Sequence, residues 1–304
     1  MWQIHLTMAG MNVGWPELIL LGAFIGFLTG MFGVGGGFLL TPLLKILFGI
    51  PYPIAVGSGL LQIFITGTYS AWKHWKYKNV DVIMGMIMAG GALGGTEIGV
   101  RLLKALSSEG KVIINFHPLP ILDLVLNAIF LCLMVGVAIL IWKETSSSSA
   151  EEEVASTLSK RLQNYRIPPQ LEFPHSGISS MSIWVPLGIS FFVGILTGLL
   201  GVGGGFINFP LMVYILGVPT TVAVGTSAFQ LLFSTGYGAV RHALQGHVEL
   251  LLVVFLLIGS LAGVQMGVRA SRFLGGRKIR KYFAWIIIVA IGVIIWDIIQ
   301  EIWF

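Results

Sequence analysis

The sequence predicts an all-α membrane protein with two inverted repeats of five helical segments each, in which short helices follow glycine breaks and a cytoplasmic linker joins the halves. Three observations predict this fold: the composition, an internal repeat and the placement of Lys and Arg. Of 304 residues, 56% are hydrophobic and only 10% are charged, whereas soluble domains carry about 25% charged residues. The chain therefore has too few charges to cover a water-facing surface, and we expect a multi-pass membrane protein.

Eight apolar runs are long enough to cross a hydrocarbon core of roughly 30 Å, which takes about 20 helical residues. They lie near 15–33, 54–72, 79–100, 119–142, 181–200, 222–240, 248–268 and 282–303. Two shorter apolar segments, 37–49 and 205–217, each follow a glycine-rich run directly. The hydrophilic stretch 143–180 is predicted to be a linker between an N-terminal transmembrane repeat, 1–142, and a C-terminal one, 181–304.

The two halves are copies of one another. At a constant offset of 168 residues and without gaps, residues 26–101 match residues 194–269 at about 28 of 76 positions, far above chance self-similarity. The shared positions include the whole GVGGGF motif, an AVG motif and one glutamine in each half. Duplication alone leaves open whether the copies are parallel or inverted in the membrane.

The distribution of Lys and Arg favours inversion. If the two short segments cross the membrane, each repeat has five crossings and about 13 basic residues lie on one face against 4 on the other. If they do not cross, the repeats are parallel and the two faces carry about 8 and 9 basic residues, a difference too small to indicate an orientation in the membrane. Because cytoplasmic loops carry the excess of Lys and Arg, we predict inverted repeats in the plasma membrane. The linker is then cytoplasmic, both termini lie outside, and the formal charge of +5 reports orientation, so nucleic acid is not a predicted partner.

The two glycine runs are the strongest pointer to function. Backbone breaks inside a bilayer are tolerated only where protein or a water-filled cavity satisfies the polar groups, and paired breaks in inverted repeats are typical of a transporter's midplane binding site. A helix that starts after such a break presents free N–H groups to an anion, and glycine allows close approach. The predicted anion-binding glycines are Gly35, Gly36, Gly37, Gly203, Gly204 and Gly205. The alternative is that these glycines serve only close helix packing.

Small polar residues follow each short helix and are also predicted to bind the substrate. Ser58, Thr226 and Ser227 lie near a helix start, and Gln62 and Gln230 lie one turn further on. Neutral donors of this kind can hold sulfonate, sulfite or carboxylate oxygens without an intramembrane cation. The alternative roles are helix capping and interhelical hydrogen bonds.

Three ionisable residues are candidates for proton coupling or gating. Glu97 lies in the middle of an apolar span, where a carboxylate is a functional candidate by default, although it could simply pair with Arg101 one turn away. His74 and His242 end equivalent helices and could sense protons, although residues at such ends are usually solvated or face lipid. No cluster has metal-ligand spacing and no catalytic triad is evident, so we predict no metal, no cofactor and no enzymatic activity. The single cysteine, Cys132, is expected to be a buried packing residue.

The doubled motif resembles a known family. The stretches GFLTGMFGVGGGF and GILTGLLGVGGGF, each followed by Pro-Leu, a Gly-[Ile/Val]-Pro turn, AVG-[Ser/Thr] and Gln, resemble the TauE/SafE family of sulfite and organosulfonate exporters, which includes transporters of the 4-toluene sulfonate uptake permease type. The resemblance covers most of 15–142 and 181–304. It implies two homologous helical halves joined by a loop, and a small sulfur-containing or carboxylate anion as cargo.

Carried over to this chain, the family motif falls on a set of glycines with Gln62 and Gln230 behind them. Those glycines are Gly33, Gly35, Gly36, Gly37, Gly201, Gly203, Gly204 and Gly205. The halves differ, since Thr41 and Gly59 stand where the second half has Phe209 and Ser227, so the two half-sites need not contribute equally.

These patterns together predict a secondary transporter of a small sulfur-containing anion such as sulfite, sulfoacetate or a related organosulfonate. The anion is expected to bind at midplane between two repeats that rock against each other. The alternatives are an anion channel, in which the same breaks form a filter, and a transporter of a small carboxylate. The predicted partners are the anionic substrate and the lipid bilayer; the oligomeric state is open, with a homodimer as one option.

Overall fold

The computed structural model describes residues 3–107, 111–114, 117–146, 159, 162–163 and 167–303, and this part of the chain is mostly helical. Its α-helices are α1 (Trp15–Phe32), α2 (Gly37–Phe48), α3 (Tyr52–Lys76), α4 (Val82–Ser107), α5 (Ile121–Ser146), α6 (Trp184–Leu200), α7 (Gly205–Leu211), α8 (Thr220–Ala243), α9 (Leu250–Phe273) and α10 (Gly276–Trp303). The short α7 continues as a π-helical turn, Met212–Leu216. Both short apolar segments are therefore helical, and each begins directly after its glycine run.

Three small β-hairpins accompany the helices, and the all-α expectation missed them. The antiparallel strand pairs are β1 (Gln3–Leu6) with β2 (Met11–Gly14), β3 (Lys111–Ile114) with β4 (His117–Pro120), and β5 (Gln170–Phe173) with β6 (Ile178–Ser182). Each strand has four or five residues, too few for a clear alternating pattern. The last hairpin lies at the end of the linker 143–180, of which residues 147–158, 160–161 and 164–166 lie outside the described part.

The described helices include five that are long and apolar enough to cross a membrane, by length and composition. They are Trp15–Phe32, Tyr52–Lys76, Val82–Ser107, Leu250–Phe273 and Gly276–Trp296. Large apolar side chains such as Leu20, Phe192 and Val289 are more than 60% exposed on the outside of the bundle, which suits contact with lipid. Cys132 on α5 is exposed as well, so the expectation that it is buried was wrong, because an apolar run in a membrane helix also supplies the lipid-facing side.

Helices α1 and α9 pack backbone to backbone along stripes of glycine. α1 has glycine at every fourth position on one face, and a Cβ on any of the three would lie 2.1–2.3 Å from a carbonyl oxygen of α9. Small residues are what membrane helices use to approach this closely. Because residue numbers increase in the same direction along both helices from one contact to the next, α1 and α9 run parallel. The pairs are Gly22 with Leu256, Gly26 with Ser260 and Gly30 with Val264.

Helices α4 and α6 form a matching parallel pair. A Cβ on the glycines of α4 would lie 1.9–2.2 Å from carbonyl oxygens of α6. Both pairs join a helix of the N-terminal half to a helix of the C-terminal half, so the halves are interlocked. The contacts are Gly91 with Leu187, Gly95 with Phe191 and Gly99 with Ile195.

The central helices α3 and α8 occupy equivalent positions in the two halves and run antiparallel. Contacts proceed in opposite directions along them, since residues late in one helix meet residues early in the other. One glycine of α3 and two of α8 lie at this crossing, and a Cβ on any of them would lie 2.7–3.0 Å from a side-chain atom of the opposite helix. The contacts are Leu60 with Gly238, Phe64 with Gly236 and Gly67 with Leu231. The middle of α3 therefore crosses the middle of α8.

The glycine stripes generate a stability prediction. We expect Gly95→Ala to lower the free energy of unfolding by about 2 kcal/mol, and Tm by roughly 5 °C, because the new Cβ must push α4 away from the Phe191 carbonyl. Gly90→Ala in the same helix is the control, since a Cβ there meets nothing within 4 Å and alanine is the better helix former. Thermal unfolding in detergent measures both, and equal Tm values for the two variants would contradict the prediction.

Candidate functional site

The two glycine breaks end α1 and α6 and reverse the chain into α2 and α7. Each helix ends with a left-handed glycine whose N–H bonds back to a threonine carbonyl, Gly33 to Thr29 and Gly201 to Thr197. Two residues later Gly35 and its counterpart Gly203 have φ values of 76° and 74°, a backbone region that residues with a Cβ adopt rarely. The motif is therefore repeated because each half must make the same sharp reversal.

The two breaks touch each other at the centre of the bundle. A Cβ on Gly37 would lie 2.7 Å from the carbonyl oxygen of Val202, and a Cβ on Gly205 would lie 2.6 Å from the backbone of Val34. These two contacts are the same contact with the halves exchanged. The rings of Phe38 and its counterpart Phe206 stack beside it with centroids 5.2 Å apart. The glycines thus do serve close packing, and they bring both breaks to one place.

That place lies at mid-height of the central helices. Ile63, halfway along α3, would meet a Cβ on Gly35 at 2.6 Å and one on Gly203 at 3.2 Å. Leu231, its counterpart halfway along α8, also lies against Gly35. The backbone N–H groups of residues 34–36 and 202–204 donate to no acceptor in the part of the chain that the structure describes, so they are available to a ligand.

Buried polar side chains flank the breaks, and several of their atoms lack a partner. Both amide atoms of Gln62, Oγ1 of Thr41 and Oδ1 of Asn208 make no hydrogen bond to the described residues, and all three side chains are fully buried. Gln230 accepts a 2.6 Å hydrogen bond from Asn208 Nδ2. An unpaired buried polar group costs about 1–3 kcal/mol, so this cluster is a candidate for polar ligand contacts. Because Gln62 is unpaired and Gln230 is paired, the half-sites differ.

The predicted hydroxyl ligands make bonds between the halves. Ser58 Oγ accepts from the N–H of Glu249 at 2.9 Å, and its counterpart Thr226 Oγ1 accepts from the N–H of Asp81 at the same distance. Ser227 donates to the carbonyl oxygen of Gly33 at 3.0 Å. These bonds correspond to the interhelical role considered above, and a role in substrate binding stays a prediction.

Two buried carboxylates that sequence reasoning missed each bind one β-hairpin, the first (β1–β2) or the last (β5–β6). Asp81 Oδ2 accepts from Ser176 Oγ at 2.7 Å and from its N–H at 3.2 Å. Glu249, its counterpart, accepts from the N–H of Met8 at 2.7 Å. Met8 and Ser176 are themselves 168 residues apart, so the structural repeat extends to the hairpins, where sequence identity does not. The aligned acidic pair in the repeat was the signal that could have revealed these residues.

Glu97 is the centre of an ion-pair network that joins α4 to α8. Arg241 donates to both carboxylate oxygens at 2.7 and 3.0 Å, Arg101 donates at 2.7 Å and Tyr237 at 2.8 Å. The pair with Arg101 was one of the two readings, whereas Arg241 was not foreseen because it comes from the other half. The second half has Gln265 in place of Glu97, so the network occurs at one end of the bundle only.

His74 and His242 are buried between helices, so the expectation of solvated or lipid-facing rings was wrong. Their side chains are 2% and 0% exposed, and Nε2 lies 3.3 and 3.1 Å from the carbonyl oxygens of Gly30 and Gly198. A carbonyl only accepts, so Nε2 carries the proton in each ring. Nδ1 of both rings has no partner in the described chain. His247, in the loop after α8, lies 5.8 Å from the His242 ring, and burial lowers its pKa.

The structure therefore brings the six glycines, Gln62 and Gln230 to the centre and places the other predicted residues towards the two ends. Thr41 and Asn208 were missed as members of the central cluster, although both lie in the short helices after the breaks. A comparison of the copies could have found them, since each is a polar residue facing an apolar counterpart. No group of His, Cys, Asp and Glu suited to a metal ion occurs among the residues described.

The hairpin contacts generate a second prediction. In a double-mutant cycle, Asp81→Asn and Ser176→Ala are expected to couple by about 1–2 kcal/mol, because the serine hydroxyl donates to the buried carboxylate. The measurement is the free energy of unfolding in detergent for the two single variants and the double variant. Ser180→Ala, whose hydroxyl bonds the exposed Gln170, is the control partner and should be additive with Asp81→Asn. Additivity with Ser176→Ala as well would refute the coupling.

Comparisons with known proteins identify a family of membrane transporters. The family described as "Sulfite exporter TauE/SafE" matches residues 18–294. Among curated relatives, the chain is 29% identical over 262 residues to the probable membrane transporter protein YunE of Bacillus subtilis, covering 84% of this chain and 88% of the relative. It is 26% identical over 277 residues to YjnA of the same organism, also a probable membrane transporter, covering 90% and 97%. No solved structure gives a significant match. The chain belongs to the TauE/SafE family of membrane transporters.

Proposed function

We propose that this protein is a secondary transporter that moves a small sulfur-containing anion, such as sulfite, sulfoacetate or a related organosulfonate, through a site at the membrane midplane. One observation carries the proposal: two glycine breaks touch at mid-height of the central helices, and buried polar atoms without a partner in the described chain, including the donors Gln62 Nε2 and Thr41 Oγ1, lie in the helices that flank them. Paired breaks of this kind are where transporters bind substrate. The description of the family as sulfite exporters supports the cargo class.

The two halves act as inverted repeats. Equivalent helices α3 and α8 run antiparallel, and contacts such as Gly37 with Val202 recur with the halves exchanged, which supports a pseudo-two-fold axis through the breaks. The excess of Lys and Arg in 73–78, the linker and 269–281 favours a cytoplasmic location for these segments. Both termini then lie outside the plasma membrane.

The site binds an anion mainly through neutral donors. On the side of the first half these donors are Gln62 Nε2, Thr41 Oγ1 and the N–H groups of the first break. On the side of the second half they are the N–H groups of the second break, since Asn208 Nδ2 already donates to Gln230. A sulfonate or sulfite presents three acceptor oxygens to such donors. Side-chain cations are absent from this central cluster, which lowers the energetic cost of burial between transport events, because an unpaired charge in the membrane is expensive.

Rocking of the halves opens the site to one side at a time. The bonds of Asp81 to Thr226 and Ser176 lie at one end of the bundle, and those of Glu249 to Ser58 and Met8 lie at the other. Both sets join the two halves, so each is positioned to part when its own end opens. A monovalent anion that leaves a negative-inside cell gains about 2.3 kcal/mol per 100 mV, so export needs no coupling ion. Glu97, His74 and His242 remain the candidates for proton coupling if the direction is inward.

The central glutamine provides the test. We expect Gln62→Ala to weaken sulfite or sulfoacetate binding by at least about tenfold, because a hydrogen bond to an ion contributes roughly 1.5–3 kcal/mol. Gln265→Ala is the matched control, since Gln265 is exposed on α9 and is not one of the buried polar residues beside the breaks. Isothermal titration calorimetry on purified protein measures both variants, with acetate and succinate as rival ligands.

Unchanged affinity in Gln62→Ala would contradict the site, and preferential binding of a carboxylate would contradict the cargo. Proteoliposome flux separates a carrier from a channel. A carrier gives saturable flux with counterflow, whereas fast conductance without saturation would identify an anion channel in which the breaks act as a filter.

A further inference from the structure

A cavity of about 510 Å³ opens between the ends of α3 and α9 and the starts of α8 and α10. All four helix ends belong to the face rich in Lys and Arg, which carries 73–78 and 269–281. The residues that matter for its chemistry are Arg272, Tyr77, Ser271, Asn79, His74 and Val224. None of these residues was assigned to substrate binding above, so the cavity is a separate feature of the molecule.

The inner wall of the cavity adjoins the first glycine break. Val224 lines the cavity, and a Cβ on Gly33 would lie only 2.0 Å from the carbonyl oxygen of Val224. Ser227, one turn further along α8, donates to the carbonyl oxygen of Gly33. The cavity therefore leads from the basic face of the protein to the backbone that begins the central site.

The mouth of the cavity carries a positive charge held in position. The guanidinium of Arg272 lies 4.2 Å from the centroid of the Tyr77 ring, a cation–π contact that restricts the arginine while leaving its N–H groups free to bind an anion. Arg280 adds a second cation nearby, since its Nη1 donates to Thr220 at 2.6 Å. The carboxylate of Asp81, which follows Asn79 in the chain, already accepts hydrogen bonds from the Ser176 hydroxyl and from the backbone N–H of Met84.

The inner part of the cavity offers an acceptor. His74 lines it, is almost fully buried, and donates from Nε2 to the carbonyl oxygen of Gly30. Nδ1 of the neutral ring is then an acceptor, and it has no partner among the described residues. An anion that carries one hydrogen on oxygen, such as hydrogen sulfite, could place its charge towards Arg272 and its proton towards His74.

The cavity chemistry, to which both halves contribute, occurs at one end of the bundle. When the two halves are exchanged, Gln245 takes the place of Tyr77, Leu103 that of Ser271 and Lys104 that of Arg272. The opposite end therefore lacks the aromatic ring that positions the cation and the guanidinium that binds two oxygens at once. The residues that would bind an anion therefore differ between the two ends of the bundle, although the glycine breaks are the same in both halves.

We propose that this cavity is a cytoplasm-facing subsite in which Arg272 captures a small sulfur oxyanion before it reaches the glycine breaks. The inference rests on the proposed function for the identity of the anion. It adds a second site, a named cation and a side from which the substrate enters. Entry from the basic face is the direction required for export.

Charge-selective labelling tests the cavity without any need for transport. Thr221 lines the cavity and is exposed, so Thr221→Cys in a Cys132→Ser background supplies one thiol there. Methanethiosulfonate reagents that carry a sulfonate or a trimethylammonium group are compared, each rate being normalised to its rate with a free thiol. We expect the anionic reagent to be favoured about fivefold or more, because a single cation nearby shifts local concentrations by that order.

Arg272→Gln should remove most of this preference and Arg269→Gln should keep it. Arg269 has the same charge on the same helix and is exposed, but it does not line the cavity. Asn79→Cys is the second reporter if Thr221→Cys fails to fold. Equal normalised rates for the two reagents, or equal effects of the two arginine variants, would overturn the proposal.

Protection by substrate separates this inference from the proposed function. Millimolar sulfoacetate, which does not react with the thiosulfonate as sulfite does, should slow labelling of Thr221→Cys by the anionic reagent, and this protection should be lost in Arg272→Gln but kept in Gln62→Ala. Charge selectivity that depends on Arg272, together with protection by acetate alone, would support the subsite and overturn the sulfur oxyanion as cargo. Protection that survives Arg272→Gln but is lost in Gln62→Ala would support the central site and overturn the subsite.

Discussion

The rest of the structure depends on direct backbone contact between the two halves, which glycine alone permits. Along α1 with α9 and α4 with α6, the missing side chains let one helix lie against the carbonyl oxygens of the other. Lipid tails are as apolar as leucine, so apolar burial gives membrane helices little reason to associate, and close packing has to supply the stabilisation. Since each pair joins the N-terminal half to the C-terminal half, neither half is a separate compact unit.

The same constraint explains the character of the central site. Once the outer pairs interlock the halves, α3 and α8 cross at their middles and the breaks meet beside Ile63. The backbone N–H groups of both breaks then lie close together, and the buried polar side chains described beside them, Gln62, Thr41, Asn208 and Gln230, are neutral. Charge is kept for the ends of the bundle, where Glu97 pairs with two arginines and Arg272 stacks on Tyr77. The proposed capture of an anion and its proposed passage therefore lie at different places in the molecule.

Much of the helical layout was predictable because membrane spans are defined by length and hydropathy. Runs such as 15–33 and 248–268 correspond to α1 and α9 within a few residues at most ends, and the equal placement of the glycine breaks followed from the repeat. Glu97 shows where prediction stopped. Its neighbour Arg101 is visible four residues away, whereas Arg241 lies 144 positions further along the chain and is brought to Glu97 only by packing. Buried histidines were misplaced for the same reason, since hydropathy does not say which side of a helix meets protein.

The sequence by itself determined that the chain is a membrane protein, that it is doubled and that each copy breaks after its first helix. Hydropathy, the internal repeat and glycine content can be read from the sequence without knowing which residues are in contact in space. Only the tertiary structure decided that Met8 and Ser176 hold equivalent carboxylates, that Gln62 is unpaired while Gln230 is not, and that Tyr77 meets Arg272. Hydrogen bonds and ring contacts act over a few ångströms, so their partners are set by how helices distant in the chain are brought together.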